Sequence, residues 1–311
     1  MSRFLVTGGA GFIGSHIVEA LVKQGQDVRV LDNFSSGKLS NFKSLEKKID
    51  LIKGDICSMA VCIKATKQVD FVLHQAALRS VPKSMDAPHD YNRVNIDGTL
   101  NMLEASRQNK IKRFVFASSS SVYGEVNDFP QKESFIPDPI SPYALSKLTG
   151  EYYCKIFSLH YGLSTVALRY FNVFGPRQAL DDDYAVVIPK FINCLLNNQS
   201  PPIFGNGRQS RDFTFVQNVV SANLLAARAQ KIKYGVFNIA TGKDIRILDL
   251  VKILNKILGK DTPPKLLPKR PGDVFKTLAQ IKKAAQCLNF KPSVSFIEGL
   301  KITVDFWKEN A

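Results

Sequence analysis

Acid is in short supply in this chain relative to base. Its 311 residues hold 27 Asp and Glu against 42 Lys and Arg, for a net charge of +15. Such a balance invites a nucleic-acid reading, but the lysines are dispersed. Clusters such as Lys231-Ile232-Lys233 and Lys282-Lys283 are short, and there is no arginine-rich arm or aromatic-basic repeat. The charge therefore reads as a solvated basic surface that attracts anionic substrates, with no nucleic-acid partner. No apolar run reaches bilayer length, and Met1-Ser2-Arg3-Phe4-Leu5-Val6 leads straight into a glycine turn with no cleavage site, so no membrane association is expected. Five scattered cysteines, Cys57, Cys62, Cys154, Cys194 and Cys287, show neither zinc nor redox spacing, which predicts reduced thiols, no metal and a cytoplasmic protein. Repeats and long linkers are missing too. What remains, 45% hydrophobic and 22% charged, is ordinary globular composition with enough length for a sizeable core.

Within that frame, Ser141-Pro142-Tyr143-Ala144-Leu145-Ser146-Lys147 sets a phenol and an ammonium one helical turn apart. Side chains four residues apart share a helix face. A positive charge there favours the tyrosinate and makes Tyr143 a base. The N-terminal third supplies a setting for that chemistry. A strand at Phe4-Leu5-Val6 enters Thr7-Gly8-Gly9-Ala10-Gly11-Phe12-Ile13-Gly14, and a helical pattern follows through Ile17, Val18, Leu21 and Val22. Glycines at 8, 11 and 14 let the backbone approach a pyrophosphate at a helix N-terminus. The strand Val28-Arg29-Val30-Leu31 ends at Asp32, placed to accept ribose hydroxyls and to repel a 2′-phosphate, so the cofactor is read as NAD. Leu51 to Ile56 and Val69 to His74 continue the alternation, making Asp55 and Ile56 candidates for the adenine and Gln75-Ala76-Ala77 for the middle of the cofactor. His74 reads as a satisfied strand-end histidine. A helix from Asp86 to Gln108 precedes the strand Phe114-Val115-Phe116-Ala117, which runs into Ser118-Ser119-Ser120-Ser121-Val122-Tyr123-Gly124. A hydroxyl there can bond a substrate oxygen beside Tyr143.

Thr7 to Gly14, Asp32, Ser118 to Gly124 and Tyr143-x-x-x-Lys147 together resemble the extended short-chain dehydrogenase/reductase family, specifically its nucleotide-sugar epimerases and dehydratases, over nearly the whole chain. The resemblance implies an α/β fold: a doubly wound parallel (Rossmann) sheet with a smaller C-terminal substrate-binding domain. The division expected is 1–170 for NAD, including the Tyr143 helix, and 171–311 mainly for substrate, with some segments returning to the Rossmann core. It makes Ser119 the catalytic hydroxyl, Tyr143 the base and Lys147 the residue that lowers the tyrosine's pKa and holds the nicotinamide ribose. Cofactor contacts are expected from Gly8, Gly11, Phe12, Ile13, Gly14, Asp32, Asn33, Ser36, Gly37, Asp55, Ile56, Gln75, Ala76, Ala77, Tyr143, Lys147 and Tyr170. Related dehydratases carry Asp-Glu directly after the Ser/Thr; Ser120-Ser121 stand here, so epimerisation is the better reading.

Beyond Tyr161, the strand Thr165 to Tyr170 enters Phe171-Asn172-Val173-Phe174-Gly175-Pro176-Arg177-Gln178, and composition shifts towards loops. By resemblance Asn172 meets the substrate diphosphate. Phe204 packs on the uracil, Arg211 and Arg270 bind phosphate, Asp273 the ribose, and Ser80, Ser119, Ser121, Tyr143 and Val187 complete the sugar side. Arginine suits a diphosphate because its planar donors bind oxygens in pairs. Thr277 stands where the 4-epimerases have a gate residue, and a threonine leaves room for an acetamido group. Tyr184 to Pro189, expected to begin a helix, looks most like the subgroup acting on UDP-N-acetylhexosamines. The helices Asp86 to Gln108 and Pro142 to Tyr161 imply a homodimer. The expectation is an NAD-dependent UDP-hexose 4-epimerase, acting on UDP-GlcNAc/UDP-GalNAc and also on UDP-Glc/UDP-Gal. The alternatives are a UDP-glucuronate 4-epimerase or decarboxylase, a 4,6-dehydratase, or a non-catalytic NAD- or nucleotide-sugar-binding protein.

Overall fold

The computed structural model describes residues 1–42, 45–180, 187–269 and 274–310. The chain begins by alternating strand and helix: β1 (Arg3–Thr7), α1 (Phe12–Lys23), β2 (Asp27–Asp32), β3 (Asp50–Lys53), α2 (Met59–Thr66), β4 (Phe71–His74), α3 (Val81–Asp86), α4 (Pro88–Tyr91), α5 (Gly98–Gln108), β5 (Arg113–Ser119), α6 (Pro142–Tyr161) and β6 (Thr165–Tyr170). Shorter strands then mix with helices: β7 (Val173–Phe174), α7 (Val187–Leu196), β8 (Pro202–Phe204), β9 (Ser210–Arg211), β10 (Thr214–Phe215), α8 (Val216–Arg228), β11 (Tyr234–Ile239), β12 (Ile245–Arg246), α9 (Ile247–Leu258), β13 (Lys265–Leu267), α10 (Lys282–Leu288) and α11 (Phe296–Glu309).

Seven strands form one parallel sheet in the order β11-β6-β5-β4-β1-β2-β3. The chain winds outward from β1 through β2 to β3, then returns to place β4 on the other side of β1. That reversal opens a crevice beyond the carboxyl ends of β1 and β4, the place where such sheets bind ligands. Side chains of a strand alternate between faces, and β1 divides its residues accordingly. Phe4 and Val6 join Ile17, Val18 and Leu21 of α1 and Val219 and Ala222 of α8 in one core; Leu5 joins Cys62 of α2, Met102 and Leu103 of α5 and Cys154 and Phe157 of α6 in another. Helices thus cover both faces, as an all-parallel sheet requires. A third core gathers Phe174, Ile188, Phe191, Phe213, Phe215, Leu250 and Leu254 from the later elements.

The helix expected to begin at Asp86 begins at Pro88. Ala87 leaves the helical region at φ −132° and ψ 58°, which ends α3 and lets Pro88 open the next helix at a position where its missing N–H costs nothing. Between α4 and α5 the helix widens into a π-helical stretch over Asn92–Asp97. Such widened turns are frequent at functional sites. α6 starts at the predicted Pro142. The Ser141 hydroxyl caps it, accepting from Ala144 N at 3.1 Å, and Gly162 closes it in the left-handed conformation.

Candidate active site

The crevice begins with backbone. Gly8 has φ +63°, and a Cβ there would fall 2.7 Å from Ala76 N; a Cβ on Gly14 would press on Gly8 O and come within 2.7 Å of Gly9 Cα. Only glycine lets the turn after β1, the loop after β4 and the start of α1 approach this closely. Gly11 caps α1 without a side chain, and Phe12 and Ile13 form its first turn, so the leading N–H groups are oriented for an anion. At the end of β2, Asp32 accepts from Ala10 N at 2.9 Å and Phe34 N at 2.8 Å. Burial holds its carboxyl above the ordinary value, and those two N–H donors pull it back down. Each oxygen keeps a lone pair for a ribose hydroxyl. Lys38 N donates to Ala10 O at 3.0 Å, which draws the Ser36-Gly37 loop against the glycine turn. Asn33 donates to Asp55 at 3.0 Å, and Ile56 is buried beside it. Burial works to raise the Asp55 carboxyl, but Cys57 N–H and the Asn33 amide outweigh it and hold the group below its usual range. Opposite Gly8, Ala76 N donates to Thr7 Oγ1 at 3.2 Å, and Ala77 follows on the same loop. These residues fit a dinucleotide: a cradle that a Cβ would fill, a helix start for the pyrophosphate and a carboxylate for the ribose.

The side chains expected to be catalytic converge where β5 ends. Ser119 Oγ accepts from Ser121 N at 3.2 Å and from Ser121 Oγ at 2.8 Å. With two bonds accepted, its own hydrogen is left for the neighbouring Tyr143 phenol, which Ser119 acts to make more acidic. Tyr143 also packs edge-on against Tyr91, with ring centres 6.4 Å apart. Lys147, 5% exposed, donates from Nζ to Ala117 O at 2.8 Å and lies 6.0 Å from the Tyr143 ring centre. Burial raises the Tyr143 phenol above its ordinary value, with the Ser119 bond opposing, and pulls the Lys147 ammonium down to about 7. His74 is neutral, driven to about 3 by burial, and joins Thr7 Oγ1 at 2.7 Å to Thr99 Oγ1 at 3.1 Å. It is a structural tie between β1, β4 and α5.

Just past β6, the backbone of Asn172 turns into the left-handed region at φ 34°. Its amide donates to Asp212 O at 3.1 Å and Thr277 Oγ1 at 2.9 Å, so Asn172 and Thr277 are in direct contact. Thr277 is buried, and its hydroxyl also accepts from Asp212 N at 3.2 Å. Arg211 donates to Ser210 O at 2.9 Å and Phe275 O at 3.2 Å. Phe204 ends β8, which pairs with β13, and Val187 opens α7. Ser80 caps α3 and donates its N–H to the Tyr91 hydroxyl at 3.1 Å, beside Tyr143. Arg270, Asp273 and Tyr184 lie outside the described residues. Among the described residues no cluster of His, Cys, Asp and Glu is arranged to hold a metal, and no helix is long and apolar enough to cross a membrane.

Three polar residues that the sequence did not mark organise this region. Asn223 of α8 ties Gln75 at 3.1 Å to Tyr170, whose hydroxyl accepts from its amide at 2.8 Å. Asn95, in the π-helical stretch, accepts from Leu78 N at 2.8 Å and donates to Ser146 Oγ at 3.0 Å, fixing the loop after β4 to α6. Asp212 accepts from Thr241 N, Thr241 Oγ1, Gly242 N and Ala279 N, and burial still carries its carboxyl up to about 6.

The chain matches known proteins along its full length. A putative UDP-glucose 4-epimerase of Methanocaldococcus jannaschii is 41% identical over 308 residues, 98% of each chain. A solved UDP-N-acetylglucosamine 4-epimerase from Methanobrevibacter ruminantium, in complex with UDP-N-acetylmuramic acid, is 45% identical with a TM-score of 0.96, covering 100% of this chain and 99% of its own. A UDP-glucuronic acid 4-epimerase from Bacillus cereus, with UDP-glucuronic acid and NAD, is 34% identical with a TM-score of 0.92, covering 99% of this chain and 100% of its own. The model of one family runs over residues 4–240, from within β1 to just past β11, and so takes in all seven strands of the sheet but the first residue of β1. The chain belongs to the NAD dependent epimerase/dehydratase family.

Proposed function

We propose that the chain catalyses NAD-dependent epimerisation at C4 of a UDP-hexose, with UDP-GlcNAc and UDP-GalNAc as the preferred pair. One observation carries the reading: Ser119, Tyr143 and Lys147 meet at the end of β5, beside a crevice whose backbone and carboxylate suit NAD. Bound there, NAD supplies the acceptor, and later the donor, of the C4 hydride. Tyr143 takes the proton of the sugar 4-hydroxyl, and Ser119 donates to O4 and relays the proton. Lys147 stabilises the tyrosinate and holds the nicotinamide ribose. The 4-keto sugar turns about its diphosphate link and is reduced on its opposite face while Asn172, Arg211 and Arg270 grip the nucleotide. Firm anchoring at UDP with a loosely held hexose suits a site that must accept two epimers.

Phe204 and Asp273 are assigned to the uracil and its ribose, and Ser80, Ser121 and Val187 to the sugar side. The N-acetylhexosamine preference rests on Thr277, whose side chain abuts Asn172, and on the likeness to a UDP-N-acetylglucosamine 4-epimerase. The reaction is placed in the cytoplasm, in keeping with five free cysteines. The chain is assigned as a homodimer through α6, whose Leu145, Tyr152, Ile156 and Leu159 are 52%, 53%, 42% and 65% exposed at spacings that line one side of the helix.

Incubating the purified protein separately with UDP-GlcNAc, UDP-glucose and UDP-glucuronate and resolving the products tests the assignment. Interconversion of UDP-GlcNAc and UDP-GalNAc is expected; turnover of UDP-glucuronate alone would move the assignment to a uronate epimerase or decarboxylase. Tyr143→Phe is expected to fold and retain NAD yet lose most turnover, and near-normal activity would refute the role given to Tyr143.

A further inference from the structure

Behind the reactive side chains lies a buried charged pair that the mechanism does not use. Glu151 follows Lys147 by one helical turn on α6, so Tyr143, Lys147 and Glu151 share a face. Its carboxylate takes a two-pronged bond from Arg169 of β6, Nε to Oε1 at 2.9 Å and Nη2 to Oε2 at 2.7 Å, and both side chains are 4% exposed. Ser118 Oγ donates to the same Oε1 at 2.5 Å. Every member adjoins a residue of the site. Ser118 precedes Ser119, Arg169 precedes Tyr170 of the Gln75–Asn223 network, and Glu151 stands one turn from Lys147. Along a strand, neighbouring side chains point to opposite faces. Holding Ser118 and Arg169 on one face of the sheet therefore sets the direction of Ser119 and Tyr170 on the other. A buried ion pair adds little net stability over apolar packing, so its use here is geometric. Arg169 also lies over the Tyr123 ring at 4.7 Å, which fixes the guanidinium plane.

We propose that Glu151, Arg169 and Ser118 form a positioning unit that locks α6, β5 and β6 in register and so sets the placement of Ser119 and Lys147 relative to Tyr143. Its members bond to one another and act on the site through Ser119, Tyr170 and Lys147. The inference rests on the epimerase reading for its kinetic part only, because the state of Tyr143 can be read without turnover.

The test uses the NAD-loaded protein. Tyrosinate absorbance is titrated in the wild type and in Ser118→Ala, each against its Tyr143→Phe counterpart, so that the difference reports Tyr143 alone. Loosening Ser118 weakens the bond Ser119 gives the phenolate. The Tyr143 midpoint is therefore expected to rise by about half to one pH unit in Ser118→Ala. With it, kcat per NAD-loaded site falls roughly tenfold while KM stays within about twofold and the melting temperature barely moves. Glu151→Asp, which keeps the charge but retracts it by one methylene, moves both readouts in the same direction. Glu151→Gln strands a buried guanidinium, so the proposal does not depend on that variant folding. Wild-type midpoints and kcat in both Ser118→Ala and Glu151→Asp would overturn the proposal, and a lowered melting temperature alone counts as the same negative result. A wild type that turns over no UDP-sugar, with Tyr143 midpoints that still shift in the two variants, would sink the epimerase reading and leave the positioning unit standing.

Discussion

Replacing Lys147 with methionine removes one charge from a site where that charge is close and poorly screened. The ammonium is 6.0 Å from the Tyr143 ring centre, and at an effective dielectric of ~20 two unit charges at that distance interact by about 3 kcal/mol. That equals about two pH units on the tyrosine. Lys147→Met is therefore expected to move the acid limb of the kcat profile upward by about two units and to cut kcat at neutral pH roughly a hundredfold. Stability responds with the opposite sign. Burial depresses the lysine from 10.5 to about 7, so between those values the unfolded chain binds the extra proton and stability rises with pH, while below 7 both states carry the proton and the slope vanishes. The methionine variant loses that slope. Before NAD is added it should melt above the wild type at neutral pH, after setting against this the bond to Ala117 O, worth about 1 kcal/mol. Product formation from UDP-GlcNAc measured over pH 5–10, paired with thermal melts at the same pH values, checks both halves. An unchanged acid limb in Lys147→Met would refute the assignment of Lys147 as the charge that supports the tyrosinate.

Other substitutions test other parts of the site. Asp32→Ser removes the carboxylate assigned to the ribose, so NAD should bind about tenfold more weakly and NADP more tightly than to the wild type in a binding titration. Gly14→Ala drives a methyl group into Gly8 O and Gly9 Cα, and purified protein should lose its NAD and melt several degrees lower. Ile156→Glu puts a charge in the exposed apolar side of α6, and sedimentation should give a monomer that still binds NAD.

What the sequence disclosed was what local rules encode. The Tyr143–Lys147 spacing, the glycine turn and Asp32 at a strand end each lie within one element, where short-range geometry fixes which atoms meet. The Pro142 start of α6 was readable for the same reason. The organising polar residues were not, because their partners are remote. Asn223 reaches Gln75 across 148 positions, and Asn95 meets Ser146 across 51. No periodicity distinguishes Asn223 from any polar residue on a helix until α8 is laid on the sheet. Asp212 was passed over beside Arg211 because its four donors come from two distant turns. β11 too lacked a mark of its own, since its Tyr-Gly-Val-Phe-Asn-Ile run is followed by no glycine-rich phosphate turn.

The order of strands has a consequence for how the protein is made. A nascent chain that has emerged as far as Tyr170 holds six of the seven strands, with the open edge of β6 unpaired and its hydrogen-bonding groups facing water. The partner for that edge, Tyr234–Ile239, is synthesised only after β7 to β10 have passed. At ribosomal speeds of about 5–20 residues per second, those edge groups wait several seconds for a mate. A stop after Tyr170 would thus release not a small cofactor-binding protein but a sheet with a sticky border, prone to pair with its own copies.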